Sequence, residues 1–187
     1  MKIRLAGNLQ KGSIVDGEGI RAVIWTQGCT HNCFGCHNPE THSFDGGFVE
    51  DTEKIKNDIR NLTLETGITF SGGDPILQVD ACLDIATFAK ERGLNIWCYT
   101  GFIFEDLLKM ANTKPLIMEF LNKVDVLVDG KFIIEEKSLN LKFRGSRNQR
   151  IIDVAKSIKR GEVVIIKTLM MEEVNNTVKK IEEELFI

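Results

Sequence analysis

Three cysteines crowd into one run of the chain, Gly28-Cys29-Thr30-His31-Asn32-Cys33-Phe34-Gly35-Cys36-His37-Asn38-Pro39. Thiolate is a soft ligand, suited to iron–sulfur clusters and to zinc. Cys29, Cys33 and Cys36 can occupy three corners of a cubane 4Fe-4S cluster, which leaves the fourth iron without a protein ligand and free to take a substrate. A structural site rarely leaves that gap. Gly28 and Gly35 let the backbone pass close to such a cluster, where its N–H groups can bond the sulfides. The competing chemistry is a Cys3His zinc site with His31, His37 or His42 as fourth ligand. Zinc sites of that kind usually come as paired Cys-x-x-Cys knuckles, and this chain has no second knuckle. Spacing by itself leaves both open.

A second run, Ser71-Gly72-Gly73-Asp74-Pro75, follows the apolar stretch Ile68-Thr69-Phe70. Paired glycines at a strand end let main-chain groups approach a ligand. Carbonyls there, with the Asp74 region, offer the acceptors an ammonium needs. Gly-Gly-Asp-Pro is equally an ordinary turn sequence. Its weight comes from standing one strand–helix unit after the cysteine loop.

The elements that must position these loops follow from periodicity. Residues 20–28 read as a buried strand. Asp51-Thr52 caps a helix with Ile55, Ile59 and Leu62 at helical spacing. Residues 67–70 form the next strand. Residues 79–92 form a helix stopped by Gly93. Residues 95–100 are a strand, 105–110 and 116–122 helices, 124–128 a strand, 149–159 a helix and 163–166 a strand. The tail over 172–185 has the pattern of an amphipathic helix. Alternating strands and helices imply an α/β fold with a mostly parallel sheet and helices outside. The loops at the strand C-termini then share one edge. A full eight-unit barrel typically needs ~250 residues, more than the 187 present, so a partial barrel is expected.

Size and composition set the outer bounds. One domain is expected over residues 1–187. The hydrophobic share of 43% and charged share of 27% are ordinary for a globular chain. A net charge of -3 gives no electrostatic reason to expect nucleic acid or an anionic membrane as partner. Neither a secretion signal nor an apolar run long enough to span a bilayer is seen, so the expected location is cytoplasmic. The five cysteines are odd in number, which argues against a disulfide framework.

The pairing of a Cys-x-x-x-Cys-x-x-Cys loop with a Gly-Gly-Asp-Pro loop resembles the radical S-adenosylmethionine (SAM) superfamily. Asp16-Gly17-Glu18-Gly19-Ile20-Arg21 is similar to the Asp-Gly-Pro-Gly-x-Arg segment of glycyl-radical-enzyme activases, with Glu18 where many have proline. Cys36-His37-Asn38-Pro39-Glu40-Thr41 resembles their cluster loop. Tyr99-Thr100-Gly101, Leu127-Val128-Asp129-Gly130 and Phe143-Arg144-Gly145-Ser146-Arg147-Asn148-Gln149-Arg150 resemble the activating proteins of anaerobic ribonucleotide reductase. Activases of pyruvate formate-lyase or another glycyl radical enzyme are the alternative, and residues 143–150 argue against them. A zinc-stabilised binding module without turnover is the alternative of another class.

The resemblance implies a partial (β/α) barrel and a 4Fe-4S cluster on Cys29, Cys33 and Cys36. It implies SAM held by Gly35, Cys36, His37, Gly72, Gly73, Asp74 and Thr100. Reductive cleavage of SAM then yields a 5′-deoxyadenosyl radical, which takes a hydrogen from a glycine of the large subunit of anaerobic ribonucleotide reductase. A small electron-donor protein such as a flavodoxin completes the set of partners. No catalytic acid or base is required. On that reading Gly73→Val weakens SAM binding and leaves cluster content intact.

Other residues have plainer expectations. His31 and His42 are expected to be solvated. Phe34 is open to a packing role. Arg144, Arg147 and Arg150 form a basic cluster that is either solvated or turned toward a carboxylate of SAM or of the partner. Asp129 either touches the ligand or caps the next turn. Cys82, Cys98, Trp25 and Trp97 read as core.

Overall fold

The computed structural model describes residues 1–171. The tail expected to be helical, residues 172–185, lies outside the described part. The strands are β1 (Lys2–Leu5), β2 (Gln10–Ser13), β3 (Arg21–Thr26), β4 (Phe48–Asp51), β5 (Gly67–Gly72), β6 (Asn95–Tyr99), β7 (Val126–Asp129) and β8 (Arg150–Asp153). The helices are α1 (Thr52–Arg60), α2 (Val79–Glu91), α3 (Phe104–Ala111), α4 (Leu116–Leu121), α5 (Val154–Arg160) and the single turn α6 (Lys167–Met170).

Among the described residues all eight strands join one sheet in the order β4-β1-β3-β5-β6-β7-β8, with β2 paired to β3. Its centre is parallel: Ala22 lies beside Ile68, Ile68 beside Ile96, and Cys98 beside Leu127. The flanks are antiparallel, through β1–β3, β1–β4 and β2–β3 on one side and β7–β8 on the other. The sheet is therefore mixed, where the pattern had suggested a mostly parallel one. The reason lies in the connections. A parallel return needs a long crossover, usually a helix. α2 supplies one between β5 and β6, and α3 with α4 supplies one between β6 and β7. No α-helix lies between β7 and β8, so β8 comes back antiparallel.

Two other assignments shift. The stretch read as a helix from 149 to 159 begins as β8, because Ile151 and Ile152 are both fully buried, as residues on opposite faces of a covered strand are. The helix starts only at Val154, after Asp153 caps it by accepting from Lys156 N at 3.0 Å. The strand expected at 163–166 reduces to one bridge, Ile152 to Ile165.

The sheet's two faces differ in chemistry, and period-two alternation sorts them. Ala22, Ile24, Ile68, Phe70, Ile96, Cys98 and Leu127 point to one side, where α1 to α5 close a continuous apolar core. α1 docks through Ile55 and Ile59. Cys82 and Cys98 are fully buried in this core. The other face carries Arg21, Thr69, Ser71 and Tyr99, with a smaller cluster of Trp97, Val126, Val128, Ile151 and Leu169. Among the described residues no helix is long and apolar enough to cross a membrane.

Candidate functional site

Parallel strands end on the same edge, so the loops after β3, β5, β6 and β7 meet there. They surround one cavity of about 690 Å³, within the usual range for small-molecule sites. Its lining includes Cys29, Cys33, Cys36 and His37 after β3, Gly72, Gly73 and Asp74 around the end of β5, Thr100 and Gly101 after β6, and Gly130 and Phe132 after β7. Residues 139–145 and 14–16 close the sides. Trp25, read as core, instead lines this cavity and donates through Nε1 to Gln10 Oε1 at 2.9 Å.

The cysteine segment is a closed loop. Gly28 N donates to Thr41 O at 2.8 Å and Cys29 N to His42 O at 3.1 Å, joining its two ends. Gln27, nearly fully buried, reaches across with Nε2 to Glu40 O and Ser43 O. The three thiols are free and half-buried. Asn38 N donates to Cys36 Sγ at 3.4 Å. Burial pushes the Cys29 thiol up, against the pull of backbone N–H groups at His31 and Asn32. N–H groups aimed at sulfur are the donors that stabilise thiolates and cluster sulfides, so this set suits an iron–sulfur cluster. Among the described residues no three His, Cys, Asp or Glu side chains are placed to hold a single metal ion.

The glycine loop packs on the backbone entering the cysteine loop. Gly73 N donates to Thr26 O and Asp74 N to Gly28 O. A Cβ at Gly72 would stand 2.5 Å from Thr26 O, and one at Gly73 would stand 2.3 Å from Gly28 O. The two glycines are thus required by the approach of two backbones. Gly73→Val, expected from the sequence to spare the cluster, instead presses on the residue before Cys29.

Asp74 is almost fully buried, with its side chain 1% exposed. Its Oδ1 accepts from Ile76 N at 3.0 Å, its Oδ2 accepts from Gly101 N at 3.0 Å, and the Thr100 hydroxyl lies within 3.0 Å of both oxygens. His31 Nε2 lies 2.7 Å from Oδ2. His31 was expected to be solvated, yet its side chain is only 7% exposed and its ring stacks edge-on against Phe102. The sequence missed it because both contacts depend on loops some forty and seventy residues away.

The remaining candidates separate. His37 lines the cavity and lies against Phe132, with ring centroids 4.7 Å apart. Gly35 turns its bare Cα toward Ile134. Phe34 is exposed, so it packs on nothing in this loop. Arg150 does not turn to a ligand: it pairs with Glu105 and Asp129. Asp129, buried, also accepts from Phe104 N at 2.8 Å and so caps α3. Arg144 donates to the carbonyls of Arg147 and Met170.

Arg21 is fully buried on the cavity side of β3. It donates to Thr69 Oγ1 and to the carbonyls of Glu18, Ile68 and Asn95, and burial pushes its pKa down to about 10. Thr69 Oγ1 donates in turn to Asp16 O at 2.7 Å, so this arginine sets the turn bearing Asp16 at the cavity wall. Gln149 was also missed. It accepts through Oε1 from Gly145 N and Ser146 N and donates to Gly130 O, tying the 143–146 turn to the end of β7.

Comparison with known proteins first gives a class. The family described as a 4Fe-4S single cluster domain matches residues 15–152. Among named relatives, the anaerobic ribonucleoside-triphosphate reductase-activating protein of Haemophilus influenzae is 36% identical over 146 residues, 74% of this chain and 90% of its own. The proteins of the same name from Escherichia coli K12 and bacteriophage T4 are each 34% identical, over 73% of this chain and 90% and 86% of their own lengths. This chain belongs to the family of anaerobic ribonucleoside-triphosphate reductase-activating proteins. A solved structure, QueE from Escherichia coli, overlaps 54% of the chain at a TM-score of 0.47 and 15% identity, too loose a likeness to bear on function.

Proposed function

We propose that this chain is the activase of an anaerobic ribonucleotide reductase, with a 4Fe-4S cluster on Cys29, Cys33 and Cys36 and with SAM in the cavity beside it. The carrying observation is convergence: three thiols, the Gly72-Gly73 turn and the ends of β6 and β7 face one cavity of about 690 Å³. When bound, cluster and SAM supply one-electron cleavage of the C5′–S bond, giving methionine and a 5′-deoxyadenosyl radical that abstracts a glycine hydrogen.

The residues of the chain bind and orient. The three thiols would hold the cluster, and an iron without a protein ligand would be open to the methionine end of SAM. Main-chain groups at Gly72 and Gly73 receive its ammonium, since the Asp74 carboxylate is already occupied by four protein donors. Cys36 and His37 border the adenine side, with Phe132 beside them and Gly35 shaping the turn. Thr100 acts through Asp74. The open side of the cavity admits a loop of the reductase's large subunit. The helix-covered sheet is read as part of a barrel of radical SAM type, acting in the cytoplasm with a flavodoxin-like electron donor.

The test is anaerobic reconstitution with iron and sulfide, chemical reduction and addition of SAM. The expected result is a brown protein that forms 5′-deoxyadenosine and, with the reductase present, a glycyl radical. A colourless protein holding one zinc and forming no 5′-deoxyadenosine would overturn the reading. Glycyl radical on pyruvate formate-lyase but not on the reductase would redirect it to the other activase group.

A further inference from the structure

The cysteine loop is closed at its base, but its outer part must also be held at a fixed place relative to the glycine loop. The base is held by main-chain bonds from the Gly73-Asp74 turn to Thr26 and Gly28. Further out, one side chain reaches back. His31, between the first two cysteines, inserts its ring over Gly101 and beside Phe102 and meets Asp74. A carboxylate only accepts, so the ring nitrogen Nε2 is the donor. Space for the ring exists only because residue 101 is glycine: a Cβ there would stand 2.3 Å from His31 Cδ2. Asp74 also holds Gly101 N and Thr100. One buried carboxylate therefore joins three loops, after β3, β5 and β6.

We propose that His31 is a positioning residue for SAM: through Asp74 it fixes the cysteine loop against the loops after β5 and β6, and so sets the site that receives the methionine end of the substrate. This rests on the activase reading above. His31 is not proposed as a ligand of the cluster or of SAM. The three thiols do not depend on its ring for their identity, so cluster assembly survives its loss. What is lost is the relative placement of two loops that must both touch one molecule. Losing that placement is expected to weaken SAM binding by about tenfold, tenfold being about 1.4 kcal/mol.

The discriminating variants use the shape of the ring. The amide nitrogen of glutamine falls near the place of histidine Nε2, whereas that of asparagine falls near Nδ1, short of Asp74. His31→Ala, His31→Asn and His31→Gln are each reconstituted anaerobically and reduced. Iron and sulfide, SAM affinity, and the change in the cluster's electron paramagnetic resonance spectrum on adding SAM are measured. The expected result is iron content near wild type in all three. SAM affinity should fall about tenfold in His31→Ala and His31→Asn, with a diminished spectral response, and return to within about threefold of wild type in His31→Gln. The inference is overturned if His31→Ala binds SAM like wild type, if Asn and Gln behave alike, or if all three lose their iron. A wild-type spectrum indifferent to SAM would instead defeat the activase reading itself, a separate outcome.

Discussion

Two buried aspartates end neighbouring parts of the same sheet edge, and they are satisfied in opposite ways. Asp74, after β5, is surrounded by a histidine, a threonine and main-chain N–H groups. Asp129, ending β7, faces Arg150, which also pairs with Glu105 on α3. The Asp129 contacts join β7, β8 and α3 on the far flank of the sheet. The Asp74 contacts join three loops that line the cavity. Equal burial therefore marks two tasks, anchoring the frame at Asp129 and registering the ligand loops at Asp74. Perturbing one should change stability, and perturbing the other should change binding.

The largest effects belong on the ligand side. Cys29→Ala, Cys33→Ala or Cys36→Ala is expected to abolish 5′-deoxyadenosine formation, because two remaining thiolates cannot hold a cubane with one open corner. Iron analysis and a product assay check this, and wild-type rates in any of the three would refute it. Gly73→Val comes next. Its side chain would enter the space of the Gly28 carbonyl, so iron content and SAM cleavage should fall together. Full iron with weak SAM binding would show that the glycine serves the ligand alone.

The frame side should respond differently. Arg150→Met leaves the Asp129 carboxylate buried without its cation, a change expected to cost about 3 kcal/mol by analogy with other broken buried pairs. Urea titration of the cluster-free protein measures it, and SAM affinity of the folded reconstituted protein should stay within about twofold, well under 1 kcal/mol. A loss of affinity as large as that of His31→Ala would erase the distinction between the two aspartates.

Glu105→Gln is the smallest. Hydrogen bonding to Arg150, opposed by partial burial, holds the Glu105 carboxyl below its ordinary value of 4.5. Such a depressed group contributes stability above pH 4.5 that disappears as pH falls through its folded value. With its side chain 46% exposed, that contribution is screened to under about 1 kcal/mol. Wild type should therefore exceed the variant slightly at neutral pH and match it in acid, and a gap that widens in acid would contradict the assignment.

The same contrast separates what the sequence disclosed from what it hid. The three cysteines and Gly72-Gly73 were legible because their types carry chemistry at short spacing. The core strands β3, β5, β6 and β7 and helices α1 and α2 were legible because burial imposes apolar runs and helical periodicity. The antiparallel flanks were not. β2 buries only Ser13, and β4 has no fully buried residue, so neither carries a period to read. β8 is an apolar pair between charges that suits a helix as well as a strand. His31 looked like a surface residue, and Arg150 was open between solvent and a carboxylate of SAM or of the partner; their actual contacts are with Asp74, Gly101, Glu105 and Asp129, partners that only the folded topology brings near. Local pattern reports which face an element buries. It does not report which distant carboxylate a polar side chain will meet.

The most direct measurement is the electron paramagnetic resonance spectrum of the reduced, anaerobically reconstituted protein before and after saturating SAM. A cluster held by three thiolates with one open iron predicts a changed spectrum once SAM occupies that position. A spectrum unmoved by SAM, from a cluster whose every iron is already ligated by the protein, would contradict the account.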